Sequence, residues 1–165
     1  MQAPRPLVAE DAAAAADLIR AAFSAQSLQT DPPSSALRED AASVAHAIAT
    51  GGGACVVAAG KLVGVVLWAE KEGGLYFGRL AVHPGWRGNG IARALVAAVE
   101  AEARRRNLVR LHLSARLTLR DNRRLFAACG FRETALRTHA GYAAPTSVVM
   151  EKFLAPSTGP ASTET

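Results

Sequence analysis

Cysteine and histidine, the residues that build disulfide frameworks and metal centres, are scarce in this 165-residue sequence. Cys55 and Cys129 are the only cysteines, and each lies among apolar residues. That context predicts two buried thiols rather than a disulfide or a metal site. The four histidines, at positions 46, 83, 112 and 139, show no ligand spacing, so we predict no metal site.

Long apolar runs are also missing. No segment has the length of a transmembrane helix, and the first residues, MQAPRPLVAED, lack the basic and apolar regions of a signal peptide. We therefore expect a cytoplasmic protein with no membrane partner. Hydrophobic residues make up 50% of the chain and charged residues 20%, which is typical of one globular domain. We predict this domain over residues 1–154 and a disordered polar tail over 155–165.

Acidic residues are outnumbered in the second half of the chain. From Arg79 onward there are 14 basic and 6 acidic residues, whereas residues 1–78 have 5 basic and 8 acidic residues. The C-terminal half should therefore attract anions. Nucleic acid and a small polyphosphate ligand both fit this charge, and a solvated arginine-rich face is the alternative. Because the sequence shows no helix-turn-helix pattern or aromatic stacking platform, we do not expect nucleic acid.

Hydrophobic periodicity predicts an α/β fold, with a mixed, largely antiparallel sheet flanked by helices in the order β-αα-βββ-α-β-α-ββ. A strand at 5–9 precedes a helix capped by Asp11, and a second helix covers 36–49. Two strands within 54–70 turn at Gly60-Lys61. The later elements are a strand over 75–82, a helix over roughly 90–106, a strand over 108–114, a short helix capped by Asp121 or Asn122 and ended by Gly130, and a closing pair of strands.

The stretch HPGWRGNGIARAL, residues 83–95, joins the fourth strand to the third helix. Glycines before a helix let backbone N–H groups converge on an anion, and Arg87 adds a positive charge. A P-loop is excluded, because Ile91 and Ala92 stand where it needs a lysine and a hydroxyl residue. A dinucleotide fingerprint is excluded, because Arg93 replaces its third glycine and no βαβ unit precedes it. On spacing alone, a plain tight turn and an anion site are equally open.

The hexapeptide RGNGIA, residues 87–92, resembles the Arg/Gln-x-x-Gly-x-Gly/Ala signature of the GCN5-related N-acetyltransferases, the GNAT family. The preceding LAVHP, residues 80–84, resembles that family's fourth strand and the loop after it. NRRLFAACGF, residues 122–131, resembles its later helix ending in Gly-Phe. The order of predicted elements also matches, so the resemblance covers nearly the whole chain and implies a GNAT-like fold.

The resemblance implies acetyl-CoA as the acetyl donor. Backbone amides of residues 87–93 would bind its pyrophosphate, and its pantetheine arm would pair with Leu80 and Val82 where strands 4 and 5 splay apart. The Val82 N–H would polarise the thioester carbonyl as an oxyanion donor. Asn122 either reaches the cofactor or caps its helix. The implied cofactor-binding residues are Leu80, Ala81, Val82, Arg87, Gly88, Asn89, Gly90, Ile91, Ala92, Arg93 and Asn122.

The proton-transfer residues that many members of the family carry are missing. No acidic residue lies at 75–82, where many members place a glutamate. Glu70 and His112 are therefore candidate bases, although Glu70 is otherwise a turn residue and His112 otherwise lies on the polar face of its strand. Phe126 replaces a tyrosine that many members use as general acid. The thiolate then leaves unaided or with water, or another group substitutes, such as Ser114 or Tyr142, whose loop could close over the acceptor site.

We therefore expect an acyltransferase of the GNAT type that transfers the acetyl group of acetyl-CoA to a primary amine, by direct attack in a ternary complex. The acceptor is a small molecule or a peptide that the sequence does not identify. A non-catalytic, acyl-CoA-binding regulatory domain is the alternative, which Phe126 and the missing glutamate favour. A homodimer formed through the apolar C-terminal strands is a further option.

Overall fold

Seven strands and four helices follow one another in the predicted order in a computed structural model, which describes residues 2–26 and 29–155. The strands are β1 (Arg5–Pro6), β2 (Gly53–Ala58), β3 (Lys61–Lys71), β4 (Gly74–Val82), β5 (Arg110–Arg116), β6 (Arg132–Arg137) and β7 (Ser147–Phe153). The helices are α1 (Ala12–Ser24), α2 (Ala41–Thr50), α3 (Ile91–Arg105) and α4 (Arg120–Ala128). The predicted tail lies, from residue 156 onward, outside the described residues.

The strands form one sheet in the order β1-β2-β3-β4-β5-β7-β6. Every neighbouring pair is antiparallel except β4 and β5, which are parallel. Parallel neighbours need a crossover connection, and α3 supplies it. The prediction of a mixed, largely antiparallel sheet flanked by helices is confirmed.

Helices cover both faces of the central strands because the side chains of these strands alternate between two cores. Val65 of β3 belongs to the core with α1 and α2, whereas Val66 belongs to the core with α3. Gly64 allows α3 to approach β3 closely, since a Cβ at this position would lie 2.5 Å from Ile91 Cγ2. This contact fixes the first turn of α3 beside the end of β4.

The second helix begins later than the sequence pattern predicts. Residues Ser35–Arg38 form a separate 3₁₀ turn, and the chain is extended again at Asp40. The Asp40 carboxylate accepts a hydrogen bond from the Ser43 N–H at 2.8 Å, and Ser43 Oγ accepts one from the Asp40 N–H at 3.0 Å. This reciprocal cap starts α2 at Ala41.

The carboxylate of Asp11 does not cap α1 as predicted. It accepts hydrogen bonds from the Val8 N–H at 2.9 Å and from Arg5 Nη1 at 2.8 Å. These bonds close a 3₁₀ turn over Ala9–Asp11, so the side chain acts before the helix rather than on its first amides. The same turn limits β1 to two residues.

Candidate functional site

Strands β4 and β5 are paired over only a short part of their length. Parallel pairing joins Leu75 to Leu111 and Tyr76 to His112, whereas β4 continues to Val82. Beyond these pairs the two strands diverge and leave a gap in the middle of the sheet. The predicted splay between strands 4 and 5 is therefore present.

The Val82 amide points into this gap. The next residue, His83, donates its N–H to the Val63 carbonyl of β3 at 2.8 Å. Since successive amides of a strand point to opposite edges, the Val82 N–H faces away from β3 and toward the space that β5 has left.

The turn between β4 and α3 carries a row of unpaired amides. Within the described residues, no backbone N–H from Arg87 to Arg93 donates a hydrogen bond, and the first helical bond runs from Ala94 N to the Gly90 carbonyl at 3.0 Å. These N–H groups stand at the positive end of the α3 dipole. A row of free donors at that position suits an anion.

Two glycines and an asparagine give the turn its shape. Gly88 and Gly90 have φ angles of 81° and 76°, the left-handed conformation that glycine adopts most readily. Asn89 Nδ2 donates to the Trp86 carbonyl at 2.8 Å and closes the turn on itself. The side chain of Arg87 is exposed beside it.

The gap and the turn open onto one cleft of about 690 Å³. Six of the predicted cofactor-binding residues line it: Leu80, Ala81, Val82, Arg87, Ala92 and Asn122. The other five, Gly88, Asn89, Gly90, Ile91 and Arg93, belong to the adjoining turn and the first residues of α3. Ile91 is buried in the core, so it offers a ligand only its backbone.

Sequence reasoning missed two walls of the cleft. One is the end of α1 and the residues after it, where Ala22, Phe23 and Gln26 line the cleft. The other is the start of α4 with the residues before it: Thr118, Leu119, Arg120, Asp121 and Leu125. Phe23 is one of several apolar residues of α1, and no motif marks residues 118–120, so neither wall had a local signal.

The predicted cap of α4 is wrong. Leu119 occupies the N-cap without a side-chain hydrogen bond, and the helix begins at Arg120. Asp121 and Asn122 are therefore helical residues, and both are exposed on the wall of the cleft. The Asp121 carboxylate lies 3.7 Å from Arg124. The Asn122 side chain makes no hydrogen bond to any described residue, so its amide group is available to a ligand.

Neither Glu70 nor His112 is close enough to act at Val82. Glu70 lies opposite Leu75 in the β3–β4 register, and His112 lies beside Tyr76 in the β4–β5 pair. Val82 is six residues further along β4 than Tyr76, which is about 20 Å in an extended strand. The expectation that one of these side chains is the base at the gap is therefore corrected.

Both side chains have structural partners where they are. The exposed Glu70 carboxylate lies 3.5 Å from Arg106 Nη1. His112 is buried, its Nε2 lies 2.8 Å from the Lys71 carbonyl, and burial lowers its pKa. The ring of His112 also contacts the ring of Tyr76 edge-on, with 5.4 Å between their centroids, so it packs where β4 and β5 are paired.

Tyr142 links the β6–β7 loop to the segment between α1 and α2. Its hydroxyl donates to Asp31 Oδ1 at 2.5 Å, and this bond raises the pKa of Tyr142. Arg116, at the end of β5, donates to the Pro32 carbonyl of the same segment at 2.6 Å. Thr118 lines the cleft two residues further on. Tyr142 therefore belongs to a cluster beside the cleft and is not part of its lining.

Phe126 is a core residue. Its ring centroid lies 6.0 Å from that of Phe77 and 6.1 Å from that of Phe131, in edge-on contacts. Only 7% of its surface is exposed, whereas its neighbour Leu125 lines the cleft. The position therefore adds packing and no proton donor.

The family model described as "Acetyltransferase (GNAT) family" matches residues 14–131, which include most of α1, the gap, the turn with the unpaired amides of residues 87–93 (the amide turn) and α4. The chain belongs to the GNAT family. No curated protein is significantly similar to it in sequence.

Solved structures share the whole fold of this GNAT protein. The ribosomal-protein-S18-alanine N-acetyltransferase of Escherichia coli has a TM-score of 0.72 at 18% identity, over 98% of both chains. The ribosomal-protein-alanine N-acetyltransferase of Brucella melitensis has a TM-score of 0.72 at 17% identity, over 93% of this chain and 100% of that one. YncA of Salmonella typhimurium, solved with its cofactor acetyl-CoA, has a TM-score of 0.72 at 18% identity, over 96% and 97%.

Across residues 2–26 and 29–155, no three His, Cys, Asp or Glu side chains are grouped as a metal ion would require. The helices in these ranges include none with the length and apolar character to cross a membrane. Both thiols are free, and Cys55 is buried as predicted, whereas Cys129 is only half-buried.

Proposed function

We propose that this GNAT protein transfers the acetyl group of acetyl-CoA to a primary amine of a small-molecule or peptide acceptor. The observation that carries the proposal is the row of unpaired amides from Arg87 to Arg93, next to a gap between two parallel strands. An anion site and an extended gap in one cleft match a ligand in which a pyrophosphate carries a long linear arm. The acetyl-CoA complex of YncA supports this assignment.

The amide turn holds the pyrophosphate. Its N–H groups are already unpaired, and Gly88 and Gly90 already have left-handed φ angles, so little ordering is needed on binding. Arg87 adds a positive charge, and solvent screens its attraction for the pyrophosphate only partly at contact distance. Asn122 reaches the same ligand from the opposite wall of the cleft.

The Val82 N–H acts on the thioester of the bound acetyl-CoA. The pantetheine arm lies in the gap beside Leu80 and Val82, which places the thioester at the end of β4. Acetyl-CoA supplies the activated acyl group. The Val82 amide polarises the thioester carbonyl and stabilises the oxyanion that develops when the amine attacks.

The acceptor enters from the side of α1, where Phe23 and Gln26 form the wall. A direct attack forms the C–N bond and breaks the C–S bond within one ternary complex. The amine must lose a proton first, because only the free base is nucleophilic. Since Glu70 and His112 lie far from Val82, we propose that water accepts this proton and that water also donates a proton to the leaving thiolate.

A second candidate function is acyl-CoA binding without catalysis. It is favoured by Phe126, because a phenylalanine ring has no hydroxyl that could protonate the leaving thiolate; this ring packs against Phe77 and Phe131.

One experiment separates the two functions. The protein is mixed with acetyl-CoA and a panel of amines and peptides, thiol release is followed, and CoA affinity is measured by calorimetry. Turnover on any acceptor supports the transferase and rejects the second candidate. CoA binding with no thiol release across the panel supports the second candidate, and absence of CoA binding rejects both.

A further inference from the structure

Arg79 has an unusual backbone conformation for a residue inside a strand. Its φ is 53°, in the left-handed region that side-chain-bearing residues rarely adopt. Three other described non-glycine residues have positive φ: Ala59, Glu72 and Asn107. Those three lie between elements, in turns, whereas Arg79 lies in the middle of β4.

The conformation of Arg79 belongs to a β-bulge. Val65 of β3 lies opposite Ala81, and Leu67 lies opposite Gly78. Two steps along β3 therefore match three steps along β4, so β4 contains one extra residue at this point. A bulge bends its strand and changes the direction of the residues that follow, and here those residues lead to Val82.

The side chain of Arg79 holds the bulge to another part of the chain. Its Nε donates to Glu39 Oε1 at 3.0 Å, and its Nη2 donates to Ser35 Oγ at 2.8 Å. The ion pair is partly shielded, since the Arg79 and Glu39 side chains are 29% and 15% exposed. The Glu39 carbonyl in turn accepts a hydrogen bond from Arg20 of α1 at 3.1 Å.

The geometry points to Arg79 as a positioning residue for acyl transfer. Anchored by Glu39 and Ser35, it keeps the β4 bulge in the form that directs the Val82 N–H at the thioester carbonyl. The inference rests on the proposed function. It also connects the oxyanion donor with α1, whose last turn forms the acceptor wall.

A purely structural ion pair would stabilise the fold without affecting a bound ligand. The two roles differ in the bound thioester, because hydrogen bonding from the Val82 amide weakens the carbonyl bond and lowers its stretching frequency. This frequency is measurable by isotope-edited infrared spectroscopy of acetyl-CoA labelled with ¹³C at the carbonyl. The measurement needs no acceptor.

The test compares Glu39→Gln, Arg79→Ala and Asp11→Asn with the wild type, each saturated with the labelled acetyl-CoA. Arg79→Ala removes the anchor but keeps a Cβ, so the positive φ stays disfavoured and the bulge is free to relax. Asp11→Asn is the matched control, because it breaks the remote ion pair of Arg5 and Asp11, in which the N–O distance is 2.8 Å. Thermal unfolding of all four proteins is measured alongside.

We expect a downshifted carbonyl band in the wild type and in Asp11→Asn, and loss of most of the downshift in Glu39→Gln and Arg79→Ala. Wild-type downshifts in both of these variants would overturn the positioning role and leave the proposed function intact. A wild-type protein that binds acetyl-CoA without a downshift would contradict the oxyanion role of Val82, and with it this inference. Failure of the wild type to bind acetyl-CoA would overturn the proposed function as well.

Discussion

Replacement of Gly90 by alanine tests the amide turn at its most sensitive position. Gly90 is the N-cap of α3 and has a φ of 76°. A Cβ built at this position has no heavy atom within 4 Å, so the substitution causes no clash inside the protein. Its effect is therefore on backbone conformation alone.

The magnitude follows from the cost of the left-handed conformation. An L-residue in this region is disfavoured by roughly 1–2 kcal/mol relative to glycine. Because the turn is exposed and makes few bonds of its own, alanine relaxes it in the free protein, and CoA must restore it on binding. The same free energy then appears as a CoA dissociation constant about 5- to 30-fold higher. The free energy of unfolding changes little.

Gly60→Ala is the matched control. Gly60 has a φ of 73°, and a Cβ built at this position would also have no heavy atom within 4 Å. Unlike Gly90, however, Gly60 lies in the β2–β3 hairpin turn, which the hydrogen bonds between the two strands hold in place. There the same cost of roughly 1–2 kcal/mol should appear as lost stability, with unchanged CoA affinity. Calorimetric titration with CoA and urea unfolding measure both quantities. A CoA affinity of Gly90→Ala within twofold of the wild type would refute the role of the turn.

Two further predictions concern charged residues. Glu70→Gln should leave kcat unchanged and alter the free energy of unfolding by less than about 0.5 kcal/mol. The reason is that Glu70 is exposed, lies far from Val82 and forms a long salt bridge with Arg106, at 3.5 Å. A large fall in kcat would restore Glu70 as a candidate base. The hydrogen bond from Arg5, with that from the Val8 N–H, holds the pKa of Asp11 below its usual value. Its stabilisation is therefore complete above the unfolded pKa of about 4 and is lost as the pH falls through the lower folded pKa. Asp11→Asn should lower the free energy of unfolding by roughly 1 kcal/mol at pH 7, a small value because the Arg5 side chain is 43% exposed. Urea titrations should show this difference shrinking below about pH 4. A difference that does not depend on pH would contradict the assignment.

The sequence was sufficient for the order of the elements and for the amide turn. Strand alternation and the turn at Gly60-Lys61 are local signals, and the glycines of the turn before α3 report a backbone requirement at their own positions. The gap between strands 4 and 5 had no local signal and was implied only by the family resemblance that the RGNGIA motif helps to carry. The cytoplasmic location and a homodimer stay predictions.

Features that depend on tertiary register could not be predicted. Glu70 and His112 are on strands next to β4, but only the register shows that they lie near Tyr76 and far from Val82. Arg79 gave no signal, because a bulge is visible only when β3 and β4 are aligned. The start of α2 was misplaced because the Asp40–Ser43 cap competes with a helical pattern that continues upstream.

An amide-resolved titration tests the central claim most directly. Uniformly ¹⁵N-labelled protein is titrated with CoA, and backbone shifts are followed by heteronuclear NMR. The account predicts saturable binding with the largest shifts at the amides from Arg87 to Arg93 and at Val82. Saturable binding that leaves these amides unshifted and moves resonances elsewhere would contradict it.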